Sequence, residues 1–190
     1  YPRSQAPMTL IFTDVSVLFA PLADSQPRRN AEAEAVAKLV AMAFGRDAIK
    51  TNAPDGAPLI EGSAASVSIS HCRNLAALAV SPAGNPLGID IERPRRQLAT
   101  VAPRVLSPSE LDYYSSFPSG LLQAWTLKEA LYKAAGITGA DFARQLRIPL
   151  PGHEFATAVK PSGEEIRFSV LFSAPIGFMP DVWCSLVAKQ

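Results

Sequence analysis

The apolar and polar positions of the first 80 residues predict strands on either side of one helix. The strands are recognised by alternation with a period of two or by short apolar runs, and they are Thr9–Phe19, Ser66–Ser70 and Asn74–Val80. The helix is Asn30–Phe44, which is rich in alanine; Asn30 is placed to cap it and Gly45 to end it. A loop is expected at Asn52–Pro58, and a turn at His71–Arg73.

A short, turn-rich joint at Ser81–Pro86 separates this pattern from a second one. The elements that follow are strands at Leu87–Glu92, Glu164–Phe172 and Val182–Ala188 and a helix from about Gly120 to Ala135. Another helix is expected to begin at Ser107, because Ser107 and Glu110 form a capping box and Pro108 occupies the first helical position. Gly136 is placed to end the longer helix.

The order of these elements predicts an α+β fold made of two similar α+β lobes. We place the N-terminal lobe at residues 8–84 and the C-terminal lobe at residues 85–190. Tyr1–Pro7 is unlike the start of a natural protein, and Met8 is the expected native start. The fold prediction therefore leaves Tyr1–Pro7 out.

Composition narrows the possible partners of the chain. The 190 residues are 48% hydrophobic, which is enough for a sizeable core, and the formal net charge is +1. No basic cluster stands out, so a nucleic-acid partner is not expected. A membrane is not expected either, since no stretch approaches the ~18 uninterrupted apolar residues of a spanning helix. Cys72 and Cys184 are expected to be reduced and buried in a cytoplasmic protein.

The strand Leu87–Glu92 carries two acids that point to the same side. Residues two apart on a strand share a face, so Asp90 and Glu92 present their carboxylates together. Carboxylate oxygens on a rigid strand suit magnesium, which also accepts phosphate oxygens as ligands. The alternative is an ordinary strand edge, on which these acids pair with the neighbouring arginines Arg93, Arg95 and Arg96.

The predicted helix Gly120–Ala135 carries a second set of polar residues on one face. Trp125, Glu129 and Lys133 are four residues apart and therefore lie above one another. The alternative is a helix-stabilising Glu–Lys pair beside a core tryptophan. Upstream, Ser68–His71 ends a strand with small hydroxyls and a histidine, which is a reasonable contact for a phosphate.

These three motifs together closely resemble the 4′-phosphopantetheinyl transferase superfamily. That family has a G-I/V-D-I/V-E strand followed by a W-x-x-K-E-x-x-x-K helix, and here Gly88–Glu92 and Trp125–Lys133 match them, with S-x-S-H upstream. The resemblance implies transfer of the 4′-phosphopantetheine arm of coenzyme A to a serine of an acyl or peptidyl carrier protein, with magnesium. It also implies the long form of the family, which is a monomer of two lobes with pseudo-twofold symmetry and a coenzyme A site between them.

The resemblance assigns roles to individual residues. Asp90, Glu92 and Glu129 match the acids around the magnesium ion. The residues that match coenzyme A contacts are Ser70, His71, Lys128 and Lys133. Glu110 matches the glutamate of the family's F-S/T-x-x-E segment, in which Leu106 replaces the aromatic residue.

The implied reaction needs positioned phosphates and a group that removes the proton of the carrier serine. The serine oxygen attacks the β-phosphorus and 3′,5′-ADP leaves, while cations stabilise the spreading negative charge. The candidates for the base are Glu129, Glu110 and a metal-bound water. Lys133 completes the catalytic set as the phosphate contact.

The chain departs from the family pattern at one position. The family often has G-K/R-P upstream of the Ser-His pair, and here Ala57 stands where the basic residue would help to hold the 3′-phosphate. Arg46 or Lys50 is expected to substitute, with Arg28 and Arg29 as weaker candidates. Ala57 also keeps open an alternative function, a non-catalytic member that binds coenzyme A or carrier domains.

Two further expectations concern rival functions and the carrier. The sequence has neither a P-loop nor a kinase-type glycine loop, so another kind of phosphotransferase or nucleotide hydrolase is not favoured. A basic or apolar patch should receive the carrier protein, and we place it around Arg104, Leu111 and Tyr113–Tyr114.

Overall fold

A computed structural model describes residues 8–12, 14–23 and 27–190 of the chain. Tyr1–Pro7, which the fold prediction leaves out, lies outside the described residues. The chain divides into two compact units, one ending at Asn85 and the other running from Pro86 to Gln190. Each unit contains its own sheet and at least one helix, which confirms a mixed fold of helices and sheets.

The first unit contains one four-stranded sheet, one helix and a small separate hairpin. Its elements are β1 (Met8–Phe12), β2 (Val15–Pro21), α1 (Arg28–Phe44), β3 (Lys50–Asn52), β4 (Pro58–Ile60), β5 (Ser66–Cys72) and β6 (Leu75–Ser81). The sheet order is β1-β2-β6-β5, and every neighbouring pair is antiparallel. α1 packs on β2 and β6 through Ala35, Leu39 and Val40, which are buried with Leu78 at the centre of the core.

Two predictions for this unit are wrong in detail. Thr9–Phe19 is not one strand but a hairpin, in which Phe12 of β1 pairs with Val15 of β2. Its alternation runs through the turn, where Asp14 is a typical turn residue. α1 begins two residues before Asn30, after Pro27, and no side chain caps it. Gly45 ends the helix as predicted, and its N–H bonds to the Ala41 carbonyl.

The turn between β5 and β6 is shorter than predicted. His71 and Cys72 belong to β5, and the chain reverses at Arg73–Asn74, where Asn74 has a φ of 68°. Asparagine tolerates this left-handed conformation better than most residues, which explains a tight reversal here. The predicted loop at Asn52–Pro58 is the connection between β3 and β4.

The second unit contains a five-stranded antiparallel sheet covered by helices. Its elements are β7 (Leu87–Glu92), α2 (Leu98–Val105), α3 (Pro108–Ser115), α4 (Gly120–Ala135), α5 (Phe142–Gln145), β8 (Leu146–Arg147), β9 (Ala156–Val159), β10 (Glu165–Ile176) and β11 (Met179–Lys189). The sheet order is β7-β11-β10-β9-β8. α4 lies against β7 and β11, and its Leu127, Ala130 and Leu131 are enclosed in the core.

The structure confirms β7 and α4 with the predicted bounds and confirms the capping box of α3. In that box the Ser107 hydroxyl accepts from the Glu110 N–H, and the Glu110 carboxylate accepts from the Ser107 N–H. β10 and β11 are longer than predicted. α2, α5, β8 and β9 were not predicted; α2 contains Pro103, which normally argues against a helix at that position.

The two units share an order of elements. In each, a strand is followed by one or more helices and then by four strands, and that strand pairs with the last of the four: β2 with β6, and β7 with β11. The pseudo-twofold relation between lobes stays a prediction. Cys72 and Cys184 are both buried and form no disulfide within the described residues, as expected. No helix in the described part of the chain is both long and apolar enough to span a membrane.

Candidate active site

A backbone contact between β7 and α4 brings the two motifs of the second unit together. A Cβ atom at Gly88 would lie 1.9 Å from the Ala130 carbonyl oxygen and 2.8 Å from the Ala134 nitrogen. No side chain fits there, so the strand lies directly against the helix only because residue 88 is glycine. The contact places the acids that follow Gly88 on β7 beside Glu129 and Lys133 of α4.

Asp90 is held by Lys133. The Lys133 ammonium lies 2.9 Å from Oδ1 of Asp90 and donates to the Ile89 carbonyl oxygen, also at 2.9 Å. Asp90 is 8% exposed and the Lys133 side chain 29%, so the pair lies at the edge of the buried region. The structure therefore brings together two of the predicted site residues, one from each motif.

Glu92 has arginine partners, as the alternative interpretation of this strand expects. Arg95 Nη2 lies 3.0 Å from Glu92 Oε2, and the Arg93 backbone N–H donates to Oε1 at 2.9 Å. The Arg95 guanidinium also lies over the Trp125 ring, 5.1 Å from its centroid. Arg95 thus links Glu92 to the first residue of the helix motif through an ion pair and a cation–π contact.

Glu129 is partly buried beside these charges. Burial raises the pKa of its carboxyl above the usual glutamate value, and the negative charges of Asp90 and, more weakly, Glu92 add to that shift, whereas Lys133 and Arg95 oppose it. Within the described residues its carboxylate has no hydrogen bond or ion pair. An acid without such a partner beside two other acids is typical of a position that a cation completes.

The three acids fit a magnesium ion in chemistry but are not already arranged as its ligands. In the part of the chain that the structure describes, no three acidic, histidine or cysteine side chains are placed to hold a metal ion. Lys133 and Arg95 instead provide the positive charge next to Asp90 and Glu92. Asp90, Glu92 and Glu129 supply the oxygen donors that magnesium prefers, and Glu129 leaves a charge to be balanced.

Lys128 and Glu110 form a buried ion pair instead of contacting substrate. Lys128 Nζ lies 2.7 Å from Glu110 Oε2, and the two side chains are 0% and 3% exposed. The ammonium also donates to the carbonyl oxygens of Phe142 and Leu146. Burial lowers the pKa of Lys128, and the Glu110 charge opposes that shift. The assignment of Lys128 to coenzyme A is therefore wrong for this structure, because no solvent or ligand reaches its ammonium.

Glu110 is likewise unavailable as the base. Its Oε1 accepts from the Ile148 N–H at 2.9 Å, while Oε2 accepts from the Ser107 N–H and from Lys128. Both oxygens are therefore satisfied inside the protein, and the side chain ties α3 to α4 and to the chain before β9. We correct its predicted catalytic role to a structural one.

In the first unit, His71 is joined to the start of α1. His71 Nδ1 lies 3.2 Å from Glu32 Oε1, and the same oxygen accepts from Arg28 Nε at 2.6 Å. His71 is half-exposed, whereas Ser70, one residue earlier on β5, is 5% exposed. Sequence reasoning placed His71 in the site but missed Glu32, since their contact depends on how α1 packs on the sheet.

Lys50 and Arg46, the other residues predicted to bind phosphate, make no contact with His71 among the described contacts. Lys50 Nζ donates to the Asn52 side chain at 2.7 Å within the β3–β4 hairpin, and Arg46 lies exposed in the turn after α1. Ala57 lies in the loop of that hairpin, where its N–H bonds to the Asp55 side chain at 3.0 Å. Arg28, one of the basic residues that could replace the missing one at Ala57, shares the Glu32 oxygen with His71.

A hydroxyl network behind the acids was not predicted. Thr126, next to Trp125 on α4, lies 2.7 Å from the Ser185 hydroxyl on β11, and Ser185 pairs with Asp90 in the sheet. Ser185 also lies 3.0 Å from the Ser173 hydroxyl. Thr126 and Ser185 are fully buried, so the network fixes α4 against the strand that neighbours Asp90. The sequence feature that could have predicted this network is the hydroxyl of Thr126 on the buried face of α4.

The predicted carrier surface is only partly exposed. Tyr114 is 3% exposed, and its hydroxyl donates to the Pro149 carbonyl oxygen at 2.7 Å. Burial raises its pKa above the usual tyrosine value, with smaller contributions from Tyr113 and Glu110. Tyr114 is therefore a core residue, whereas Arg104 and Tyr113 are exposed.

A comparison with known protein families supports the family resemblance that the sequence motifs indicate. Residues 86–172 match the family model of the 4′-phosphopantetheinyl transferase superfamily, which spans β7 to the middle of β10 and includes all three acids and Lys133. This confirms the resemblance of this part of the chain to that superfamily of transferases. No curated protein matches the chain.

Proposed function

We propose that the chain transfers 4′-phosphopantetheine from coenzyme A to a serine of an acyl or peptidyl carrier protein, with magnesium, and releases 3′,5′-ADP. The observation that carries the proposal is the grouping of Asp90, Glu129 and Lys133 within a segment that matches the transferase superfamily. Acids that balance a cation and a lysine that reaches phosphate are the groups that phosphoryl transfer to an alcohol requires.

The reaction is a displacement at phosphorus. The serine Oγ forms a bond to the β-phosphorus, the bond from that phosphorus to the bridging oxygen breaks, and the electron pair leaves with 3′,5′-ADP. The serine proton goes to a carboxylate, for which we propose Glu129, because the raised pKa of its carboxyl matches a general base better than an ordinary glutamate would. Glu110 is not available, since both of its oxygens are bonded inside the protein.

Lys133 and Arg95 have a second role in this proposal. Without substrate they balance Asp90 and Glu92, so the acids do not repel one another strongly. Lys133 is partly exposed and can exchange Asp90 for a phosphate oxygen of coenzyme A. Magnesium would be held by Asp90, Glu92 and Glu129, and would supply the positive charge that the pyrophosphate needs when it is bound.

The proposal extends to the whole chain. We assign Ser70 and His71 of the first unit to coenzyme A phosphates and expect a monomer with one coenzyme A site. The shared order of elements in the two units supports the long, two-lobed form of the family. We also propose that the reaction takes place in the cytoplasm, where the two buried cysteines would remain reduced.

A label-transfer assay tests the proposal. Purified chain, an apo carrier protein, fluorescent coenzyme A and magnesium should give a labelled carrier, and omitting magnesium or mutating the carrier serine to alanine should abolish the label. A chain that binds coenzyme A but labels none of a panel of acyl and peptidyl carriers would instead be a non-catalytic member. Light scattering should give the mass of one chain, and a stable trimer would contradict the two-lobed form.

A further inference from the structure

A chain of hydroxyl groups links α4 to the strand beside Asp90. The Thr126 hydroxyl of α4 lies 2.7 Å from the Ser185 hydroxyl of β11, which in turn lies 3.0 Å from the Ser173 hydroxyl of β10. The indole nitrogen of Trp183 lies 3.3 Å from the same Ser173 oxygen. Thr126 and Ser185 are fully buried, so no water competes for the contact between them.

The groups at the two ends of this chain determine the direction of its hydrogen bonds. At one end the Trp183 indole N–H can only donate, so Ser173 accepts there and has its own proton left for Ser185. At the other end the Thr126 hydroxyl lies 3.0 Å from the Gln123 carbonyl oxygen, which can only accept. Ser185 therefore accepts from Ser173 and donates to Thr126, and each hydroxyl proton has an acceptor.

Glu129 has no comparable contact that would hold its own side chain. Its carboxylate makes no hydrogen bond or ion pair with the residues that the structure describes, so the backbone of α4 determines where it lies. That backbone is held on both sides, because Thr126, three residues earlier, contacts Ser185, and the residue after Glu129 meets Gly88. Both contacts lie next to Asp90, since Ser185 is directly opposite it in the sheet and Gly88 is two residues before it.

We infer that Thr126 is a positioning residue, which acts through Ser185 to set the separation of Asp90 and Glu129. The inference rests on the proposed function, in which both acids hold the magnesium ion. Two carboxylates repel one another, and bringing them together around an ion costs free energy that depends on the positions from which they start. A contact that holds α4 against the sheet lowers this cost and favours metal binding without touching the metal.

Titration with Mn²⁺ in the absence of coenzyme A tests the inference. Thr126→Val keeps the shape of the side chain and removes its hydroxyl, so the buried Ser185 proton loses its acceptor. The dissociation constant for Mn²⁺ should rise about fivefold, less than the ~10–100-fold loss typical of removing a group bonded directly to a metal ligand. Thr126→Ser restores the hydroxyl and should restore the wild-type affinity. Thr100→Val, the same substitution at an exposed position of α2, is the matched control and should have no effect.

Ser185→Ala tests the same contact from the side of the sheet. It removes the hydroxyl without adding bulk, should raise the dissociation constant for Mn²⁺ to a similar extent, and decides the matter if Thr126→Val does not fold. The double variant Thr126→Val with Ser185→Ala should bind Mn²⁺ no more weakly than the weaker single variant, because the shared contact can be lost only once. Losses that multiply in the double variant would show that the two residues act independently, and would overturn the inference.

The magnesium dependence of transfer separates positioning from a loss of folded protein. In Thr126→Val the magnesium concentration that gives half of the maximal rate should rise by the same factor as the dissociation constant for Mn²⁺. The kcat at saturating magnesium should change much less. A purely structural role would lower the apparent kcat in proportion to the unfolded fraction seen by circular dichroism and leave that magnesium concentration unchanged, which would also overturn the inference.

The outcomes distinguish this inference from the proposed function. Wild-type protein that neither binds Mn²⁺ nor labels a carrier protein would overturn the proposed function itself. Folded Thr126→Val and Ser185→Ala variants that bind Mn²⁺ as tightly as wild type would overturn the positioning role of Thr126 and leave the transferase proposal standing.

Discussion

The ammonium of Lys133 lies 2.9 Å from Oδ1 of Asp90, a carboxylate that we propose as a ligand of the magnesium ion. In the proposed site, the lysine and a metal ion would compete for this carboxylate when coenzyme A is absent. The geometry therefore predicts that the affinity for metal and the binding of coenzyme A phosphate are linked through one side chain.

Replacing Lys133 by alanine should change metal and substrate binding in opposite directions. Without coenzyme A, Lys133→Ala should bind Mn²⁺ or Mg²⁺ severalfold more tightly, because a partly exposed ion pair worth up to about 1 kcal/mol no longer competes. The KM for coenzyme A should rise, because a phosphate contact is lost. Lys160→Ala, which breaks the exposed pair with Glu164, is the matched control. Weaker metal binding by Lys133→Ala would contradict the competition.

Neutral replacements of the acids should abolish transfer and leave the fold intact. Asp90→Asn and Glu129→Gln keep the size of each side chain and remove its charge. We expect a loss of at least about a hundredfold in kcat at saturating magnesium, since each 1.36 kcal/mol of lost transition-state stabilisation is tenfold in rate. Circular dichroism should show an unchanged fold. Near wild-type turnover in either variant would refute the metal-site assignment.

Glu129 should make stability depend on pH in the metal-free protein. Its folded-state pKa is raised, so between the unfolded value of about 4.3 and the folded value the unfolded chain holds fewer protons, and the free energy of unfolding falls as pH rises. Glu129→Gln removes this loss. Thermal melts should show the variant more stable than wild type near pH 7.5, with a smaller difference near pH 4.5. The exposed Glu154→Gln variant should show no such trend.

The buried pair between Glu110 and Lys128 should matter for stability and not for chemistry. Glu110→Ala leaves the enclosed ammonium of Lys128 unpaired and should cost about 3–5 kcal/mol in urea unfolding. Glu110→Gln keeps one acceptor oxygen and should cost less. Assayed well below its melting temperature, Glu110→Gln should retain kcat within a few-fold of wild type. A folded variant with a loss of a hundredfold or more would restore Glu110 as a catalytic candidate.

Gly88 should tolerate no side chain. The methyl group of Gly88→Ala would meet the backbone of α4, so the helix must move away from β7. We expect a cost of at least about 1–3 kcal/mol from this overpacking and a weakened metal site, because Glu129 would move away from Asp90. Gly177→Ala, which has nothing within 4 Å of the added carbon, is the control. Equal stability of the two variants would contradict the backbone contact.

The sequence was most informative where local signals agreed. Leu87–Glu92 alternates strictly and Gly120–Ala135 ends in a glycine, and the structure has both elements with those bounds. Lys128 could have been recognised as buried, because Ala124 and Leu131, four before and three after it, lie on the apolar stripe of the same helix. The family resemblance instead assigns Lys128, which precedes the motif residue Glu129, to coenzyme A binding.

Other features depend on packing between distant parts of the chain. The contact of Glu32 with His71 needs α1 to lie on the sheet at one particular angle, and no local pattern encodes that angle. The hairpin of β1 and β2 was missed because the alternation continues from Phe12 into Val15, across the point where the chain reverses. α2 was missed because tertiary packing tolerates Pro103 inside a helix that ends two residues later.

Because Lys128 is buried, its chemical modification can be used to measure opening of the second unit. An amine reagent such as an acylating ester modifies lysines that solvent reaches, and the side chain of Lys128 is 0% exposed while that of Lys133 is 29% exposed. Mass spectrometry of the labelled chain would therefore find Lys133 modified in the native protein, and Lys128 modified only after α3 and α4 separate. The labelling rate at Lys128 measures how often the core of the second unit opens.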